Sequence, residues 1–510
     1  MDFMEQLHSV LTDQKAVTEN RALGYATTGK ELLDLNFAVA SLRNMNEREI
    51  SKRFLKAYYE NPELAMKWLF FLRDIRGGLG ERRSFRIILR SLIEIRVDMV
   101  RRLIPLVAEY GRFDDLLCLF DTAVESDVIE YLKEQLTQDM QKMQTEEPIS
   151  LCAKWMPSVN ASSEESRRIA AKIRNALEIT TKQYRQMLSA LRKYSKVLEV
   201  SMSERNWQEI SYESVPSRAN LCYRKAFLRN DESRRRKFLE SLAKGEKSIH
   251  ARVLMPHEIV QKYSYSRRWL PQVGDYDETL EELWKHLDDQ VRGADDVLCV
   301  VDGSGSMCCA VGDGNLQAIH VSNALGIYFA ERMRGEYHNK FITFSAHPEY
   351  VDLSRCQTLQ DKLNLTYAHD DCSNTNIERS FELILQTAVK NKLSQRDLPK
   401  TVLVISDMEF DQARGSSNQK TLFQKIQYRY SLHGYQMPKL VFWNCNSRTN
   451  VIPVRENEYG VTLVSGFSVN VCKMVLSNQL DPFACLLEQL NTERYERIGR
   501  LCAQSKLFIV

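Results

Sequence analysis

Among the 12 cysteines of this 510-residue chain there is no C-x-x-C pair, and the adjacent Cys308-Cys309 has no partner pair at zinc spacing. That scarcity predicts reduced thiols in a cytoplasmic protein rather than a disulfide frame or a structural zinc site. No apolar run approaches the ~18 residues that a membrane-spanning helix needs, so no membrane partner is expected. The first residues, MDFMEQLHSVLTDQK, carry neither a basic segment nor a long apolar one, so no secretory leader is expected. Catalytic motifs are equally scarce. The nine histidines form no H-E-x-x-H, no G-x-S-x-G elbow occurs, and Gly77-Gly78-Leu79-Gly80 lacks the Gly-Lys-Ser/Thr ending of a phosphate-binding loop. These absences predict a protein that is not an enzyme. The competing reading is a metal-assisted hydrolase built on His369, Asp370, Asp371 and Cys372; a solvated polar loop explains the same residues.

Net charge is also small, +3 overall, but it is unevenly placed. Residues 151–270 hold 25 Lys/Arg against 12 Asp/Glu, a net of +13, whereas residues 101–150 hold 5 against 11, a net of −6. A basic segment of this size suits a polyanionic partner, or else a set of solvated helix faces. Its densest part is Arg224, Lys225, Arg229, Arg234, Arg235, Arg236 and Lys237, interleaved with Tyr223, Phe227 and Phe238. Guanidinium groups bind phosphate bidentately and exposed rings stack on unpaired bases; rings at this spacing also make the core stripe of a helix. Tyr184, Arg185, Arg192, Lys193 and Lys196 make a second such stripe. Arg73, Arg76, Arg82 and Arg83 flank Gly77–Gly80, where glycines could let the backbone approach a phosphate; the favoured reading is an inter-helix turn with Arg73 paired to Asp74 or Glu81.

What is present falls into two kinds of pattern. Up to about residue 285, segments such as NPELAMKWLFFLRDIR and TKQYRQMLSALRKYSKVLEVSM space apolar residues by three and four, predicting helix after helix without strands. No clean repeat period emerges, so the expectation is an array of helix pairs, a solenoid or a ring. The polar stretch PQVGDYDETLEELWKHLDDQVRGADD reads as the boundary, which gives domains 1–285 and 286–510. Beyond it, VLCVV, Lys340–Phe344, TVLVIS, KLVFWN and GVTLVSGFS alternate with helical segments. Alternation of this kind predicts a doubly wound, mostly parallel sheet covered by helices on both faces, with ligands bound past the C-terminal strand ends.

Two such ends carry carboxylates, Asp302 and Asp407, on strands that could lie side by side. The first opens Asp302-Gly303-Ser304-Gly305-Ser306, where glycines allow a tight turn and three oxygen side chains can converge. Such hard ligands of low total charge suit Mg²⁺ or Mn²⁺; the plainer alternative is a strand-to-helix loop that caps the next helix. Between the two ends lies the polar loop Ser373-Asn374-Thr375-Asn376, with a third hydroxyl.

The set Asp302, Ser304, Ser306, Thr375 and Asp407 resembles the metal-ion-dependent adhesion site of von Willebrand factor A domains, over about 215 residues. The resemblance implies direct coordination by Ser304, Ser306 and Thr375, with the carboxylates acting directly or through water. Ser-Asn precedes Thr375 where two glycines are common. In the helical half, RALGYATTGKELLDLNFAVASLRN and FLRDIRGGLGERRSFRIILRSL resemble the helical-repeat module of Ro-type ribonucleoproteins, the TROVE family. An uncharacterised family with the same two-part layout is closer still, through RDIRGGLGER, CAKWMPS, MPHEIV, ISDMEFD and LVSGFS. The Ro resemblance implies RNA held by a helical ring. The expectation is therefore an RNA-binding protein with a Mg²⁺- or Mn²⁺-binding A domain. The alternative is an adaptor that takes an acidic protein ligand at the metal.

Overall fold

The computed structural model describes residues 15–21, 23–267, 270–294, 296–312, 314–344, 347–370, 377–410, 422–453 and 460–506. Helices dominate, together with one six-stranded mixed sheet, so the α plus α/β outline holds. The chain divides into two compact units, each made of separated segments: 1–61 with 251–492, and 62–250 with 493–510.

The first unit is built on the sheet. Its strands are β5 (Val297–Asp302), β6 (Lys340–Phe344), β7 (Tyr350–Asp352), β8 (Thr401–Ser406), β9 (Lys439–Asn444) and β10 (Val461–Ser465). The order is β10-β9-β8-β5-β6-β7, parallel throughout except for the antiparallel edge strand β7. Every residue of β8 and β10 is buried, as continuous apolar runs in parallel sheets should be. β5 and β8 are direct neighbours, with Val301 opposite Ile405. The helix Ala318–Arg332 packs along them, and Gly326 lets it approach, since a Cβ there would stand 2.5 Å from Val301.

The N-terminal residues belong to this unit. In the helix Glu31–Phe37, Leu32, Leu33, Leu35 and Phe37 are buried, and the element lies against β10 and the helix Pro482–Leu490. Asn444 Nδ2 donates to Phe37 O at 2.8 Å, and Ser41 Oγ donates to Ser447 O at 2.6 Å. Two short antiparallel pairs, β1 (Lys15–Val17) with β2 (Leu23–Tyr25) and β3 (Ser264–Arg267) with β4 (Leu270–Val273), break the expected all-helical stretch. Three- and four-residue strands are too short to set up a period.

The expected boundary at 285/286 falls inside this unit. DETLEELWKH forms the helix Glu278–Lys285, capped by Asp277, with Leu280, Leu283 and Trp284 buried. The buried Glu281 accepts from the amides of Leu359 and Gln360 at 2.7 and 3.1 Å, so it caps the helix Leu359–Ala368. The stretch is polar in composition, yet three residues at helical spacing are enough to dock it.

In the second unit, successive helices pack on near neighbours: Arg83–Ser91 on Ile93–Tyr110, that helix on Glu125–Gln144, and Ser217–Asn230 on Glu232–Ala243. The helix Glu493–Lys506 completes it by packing on Pro62–Arg73 and Ile93–Tyr110. Tyr495 is 2% exposed, edge-on to Phe71 and stacked on Tyr110. Asp74 takes Arg494 and the Tyr495 hydroxyl, while Arg73 pairs with the buried Asp115 at 2.7 Å, so the expected local pairing of Arg73 gives way to a long-range one. Gly78 is required by a close backbone approach: a Cβ would sit 2.0 Å from Phe71 O.

Candidate metal centre

The ends of β5 and β8 bring four of the five expected ligands together; Thr375 lies outside the described residues. Asp302, the last residue of β5, is fully buried. Its Oδ1 accepts from the Ser304 amide at 2.9 Å and its Oδ2 from Ser406 Oγ at 2.5 Å. Ser322 Oγ, on the helix beneath, donates to Asp302 O at 2.9 Å and fixes the strand end. Ser304 and Ser306 turn their hydroxyls toward each other, 3.0 Å apart.

Asp407 follows β8 and is also buried. Its Oδ1 accepts from the Glu409 amide at 3.2 Å, while its Oδ2 is buried and accepts no hydrogen bond among the described residues. Burial pushes the Asp407 carboxyl up, with Ser306 and Arg448 pulling the other way but neither donating a hydrogen bond to Oδ2. Asp302 is pushed well above the carboxylate range by burial first and by the neighbouring Asp407 second. Two buried carboxylates at one point, one with an unsatisfied oxygen, make a site short of positive charge.

Four further groups stand around the site, and the sequence reading missed their roles. Asp370 is held by Asn323 Nδ2 at 2.8 Å, and its Oδ1 stands 2.1 Å from where a Cβ on Gly303 would be. Arg448, in the loop after β9, places Nη2 3.6 Å from Asp407 Oδ2 and Nη1 3.4 Å from Ser306 O. Its Nε donates to Glu19 Oε2 at 3.0 Å. Glu409, 1% exposed, accepts from the amides of Glu19, Arg448 and Thr449 at 3.0, 2.8 and 2.8 Å and so ties the N-terminal segment to that loop. Only for Asp370 was there a sequence signal, its place just before the Thr375 loop; Glu19, Glu409 and Arg448 meet through tertiary structure alone.

The donor set fits a divalent cation of the Mg²⁺ or Mn²⁺ type: carboxylate and hydroxyl oxygens, one of which accepts no hydrogen bond among the described residues. Among the described residues there is no cluster of three or more His, Cys, Asp or Glu in metal-binding array, so the hydroxyls are essential to any such site.

The basic residues expected to meet phosphate separate into two groups. Arg224 is buried and donates to Leu221 O at 3.0 Å. Arg235 is fully buried, its guanidinium 5.0 to 5.3 Å from the rings of Tyr212, Phe227 and Phe238 and bonded to Asn220 Oδ1. Arg234 donates to Trp207 O and Ile210 O, each at 2.7 Å, and Arg192 to Ala153 O and Met156 O at 2.8 and 2.7 Å. These four hold the helical unit together. Phe227 and Phe238 are core residues, as the stripe reading has it. Arg236 is exposed and paired with Glu232. Arg185, Lys193, Lys225, Arg229 and Lys237 are exposed, and none makes an ion pair with the described residues.

Two family models match the chain. One, "Domain of unknown function (DUF7788)", covers residues 296–495, which include Asp302, Ser304, Ser306 and Asp407. The other, DUF2828, also a domain of unknown function, covers 18–93 and 122–296. "Uncharacterized protein L728" of Acanthamoeba polyphaga mimivirus is 30% identical over 513 aligned residues, spanning 93% of this chain and 86% of the viral protein.

Proposed function

This chain belongs to the same family as the mimivirus protein L728, and from its site we propose that it is a divalent-cation-dependent binding protein, not an enzyme. The sheet unit is read as a von Willebrand A-type domain whose Asp302, Ser304, Ser306 and Asp407, with Thr375, hold Mg²⁺ or Mn²⁺. The ion would supply a Lewis-acidic position for a carboxylate of an acidic protein partner. The observation that carries this reading is Asp407 Oδ2, a buried carboxylate oxygen that accepts no hydrogen bond among the described residues, beside a second buried carboxylate. A bound ion stabilises by mass action, ~2.7 kcal/mol at a hundredfold excess over its dissociation constant. Calorimetric titration with Mn²⁺ and Mg²⁺ tests it: binding is expected for the wild type and lost in Asp302→Ala and Asp407→Ala. Equal affinity in wild type and Asp302→Ala would remove the reading.

RNA binding by the helical unit, read as TROVE-like helical repeats in a cytoplasmic ribonucleoprotein, is the second proposal. It is favoured by Arg185, Lys193, Lys225, Arg229 and Lys237, which are exposed and make no ion pair with the described residues. Each phosphate contact on a single strand contributes about −0.7 to the slope of log affinity against log salt. Changing Lys225, Arg229 and Lys237 together to Gln is expected to flatten that slope by about 2 if all three touch phosphate. An unchanged slope and affinity would exclude that face.

A further inference from the structure

We propose that Arg448 is a built-in antagonist of the metal: its guanidinium supplies the positive charge that the two buried carboxylates lack when no ion is bound, and it lowers the site's affinity for a divalent cation. The inference rests on the metal reading above and concerns a residue outside the adhesion-type ligand set.

The geometry is specific. Arg448 Nη2 stands 3.6 Å from Asp407 Oδ2, which accepts no hydrogen bond among the described residues. Its Nη1 reaches Ser306 O at 3.4 Å and Cys309 Sγ at 3.3 Å, so the guanidinium lies across the loop that carries the hydroxyl ligands. The side chain is 30% exposed, which leaves it a path to solvent. Its backbone does not share that freedom, because the Arg448 and Thr449 amides are both bonded to the buried Glu409. Thus the charge can move while its anchor stays.

A cation entering at Asp302 and Asp407 meets this neighbour of like sign. Even if the repulsion were screened as in bulk water, a unit charge a few ångströms from a divalent ion reduces its affinity about tenfold. A proton on either carboxylate feels the same guanidinium with half the charge. The sign of the effect therefore survives whether or not the ion displaces a proton. Glu19 acts on the other side of the balance. It holds Arg448 through Nε at 3.0 Å and through Nη2, drawing the guanidinium partly away from Asp407. Glu19 is itself seated by its amide on Glu409 Oε2, and Thr18 Oγ1 donates to Phe410 O at 2.6 Å. Ion occupancy and the seating of residues 18–20 are coupled through this one side chain.

The test uses the full chain, stripped with chelator, and titrates Mn²⁺ and Mg²⁺ calorimetrically into wild type, R448Q, R448K, E19Q and D302A at one pH. R448Q is expected to bind about tenfold more tightly than wild type, R448K within about threefold of wild type, and E19Q several-fold more weakly. Circular dichroism and a thermal transition establish that each variant is folded, and R448K keeps the charge if R448Q is destabilised. Binding by folded R448Q that is equal to or weaker than wild type overturns the proposal while leaving the metal site intact. Binding by wild type that persists in D302A, or no binding by wild type or R448Q, overturns the metal reading and this inference with it. Binding by R448Q alone would support both.

Discussion

Gly303 and Asp370 show how little room there is around the site. A methyl at 303 would have to displace the Asp370 carboxylate, which Asn323 holds in place. Gly303→Ala is therefore expected to destabilise the fold by roughly 1–3 kcal/mol, as overpacking does, read as a lowered melting temperature. Asp302 gives a prediction of opposite sign. Its folded pKa is raised above the ordinary 3.8, so the native state binds more protons than the unfolded chain between those two values. Stability from this group is present below 3.8 and is lost as pH rises toward the folded value. Asp302→Asn removes that loss. Without metal it should be more stable than wild type at pH 8, and the two should converge at pH 4. With Mg²⁺ present the wild type should recover and the variant should not. Thermal melts at the two pH values, with and without the ion, measure all four cases.

On the scale of elements, the helix pair Ser217–Asn230 and Glu232–Ala243 separates arginines that look alike in the sequence. Arg235 shares a three- and four-residue stripe with Phe238, Leu239 and Leu242, and Arg224 shares one with Asn220, Leu221 and Phe227; all are buried. That signal was present in the spacing, but charge density drew the reading toward the solvent. Arg235→Ala is expected to cost about 3–5 kcal/mol, as loss of a buried, ring-enclosed and hydrogen-bonded group does. Arg229→Ala should stay within about 0.5 kcal/mol. Urea denaturation followed by far-UV circular dichroism separates the two. The sheet was legible for a different reason. Buried parallel strands are short apolar runs with sharp ends, so β5, β6, β8, β9 and β10 and the carboxylates after them stand out in the sequence. Glu409 did not, because its partners lie 39, 40 and 390 residues away and nothing local marks them.

At the scale of the whole molecule, the chain leaves the sheet unit after Asn61, returns at Ala251 and leaves it again after Thr492. The family matches meet at residue 296, inside the sheet unit, so inherited segments and compact units divide this protein differently. A fragment 286–510 lacks Glu31–Phe37 against β10 and the helix Glu278–Lys285; it should aggregate or melt well below the full chain in a scanning fluorescence assay. Ending the chain at Thr492 removes Tyr495 from between Phe71 and Tyr110 and should lower the helical unit's transition by several degrees. This arrangement also sets an order in time. Ribosomes add about 5–20 residues per second, so the helix Glu31–Phe37 waits on the order of tens of seconds for β9 and β10 to emerge. The helical unit waits longer still, for the helix Glu493–Lys506. An interrupted translation product therefore has neither unit finished. It shows the cell an uncovered Phe71 and Tyr110, the kind of aromatic surface that chaperones and proteases grip.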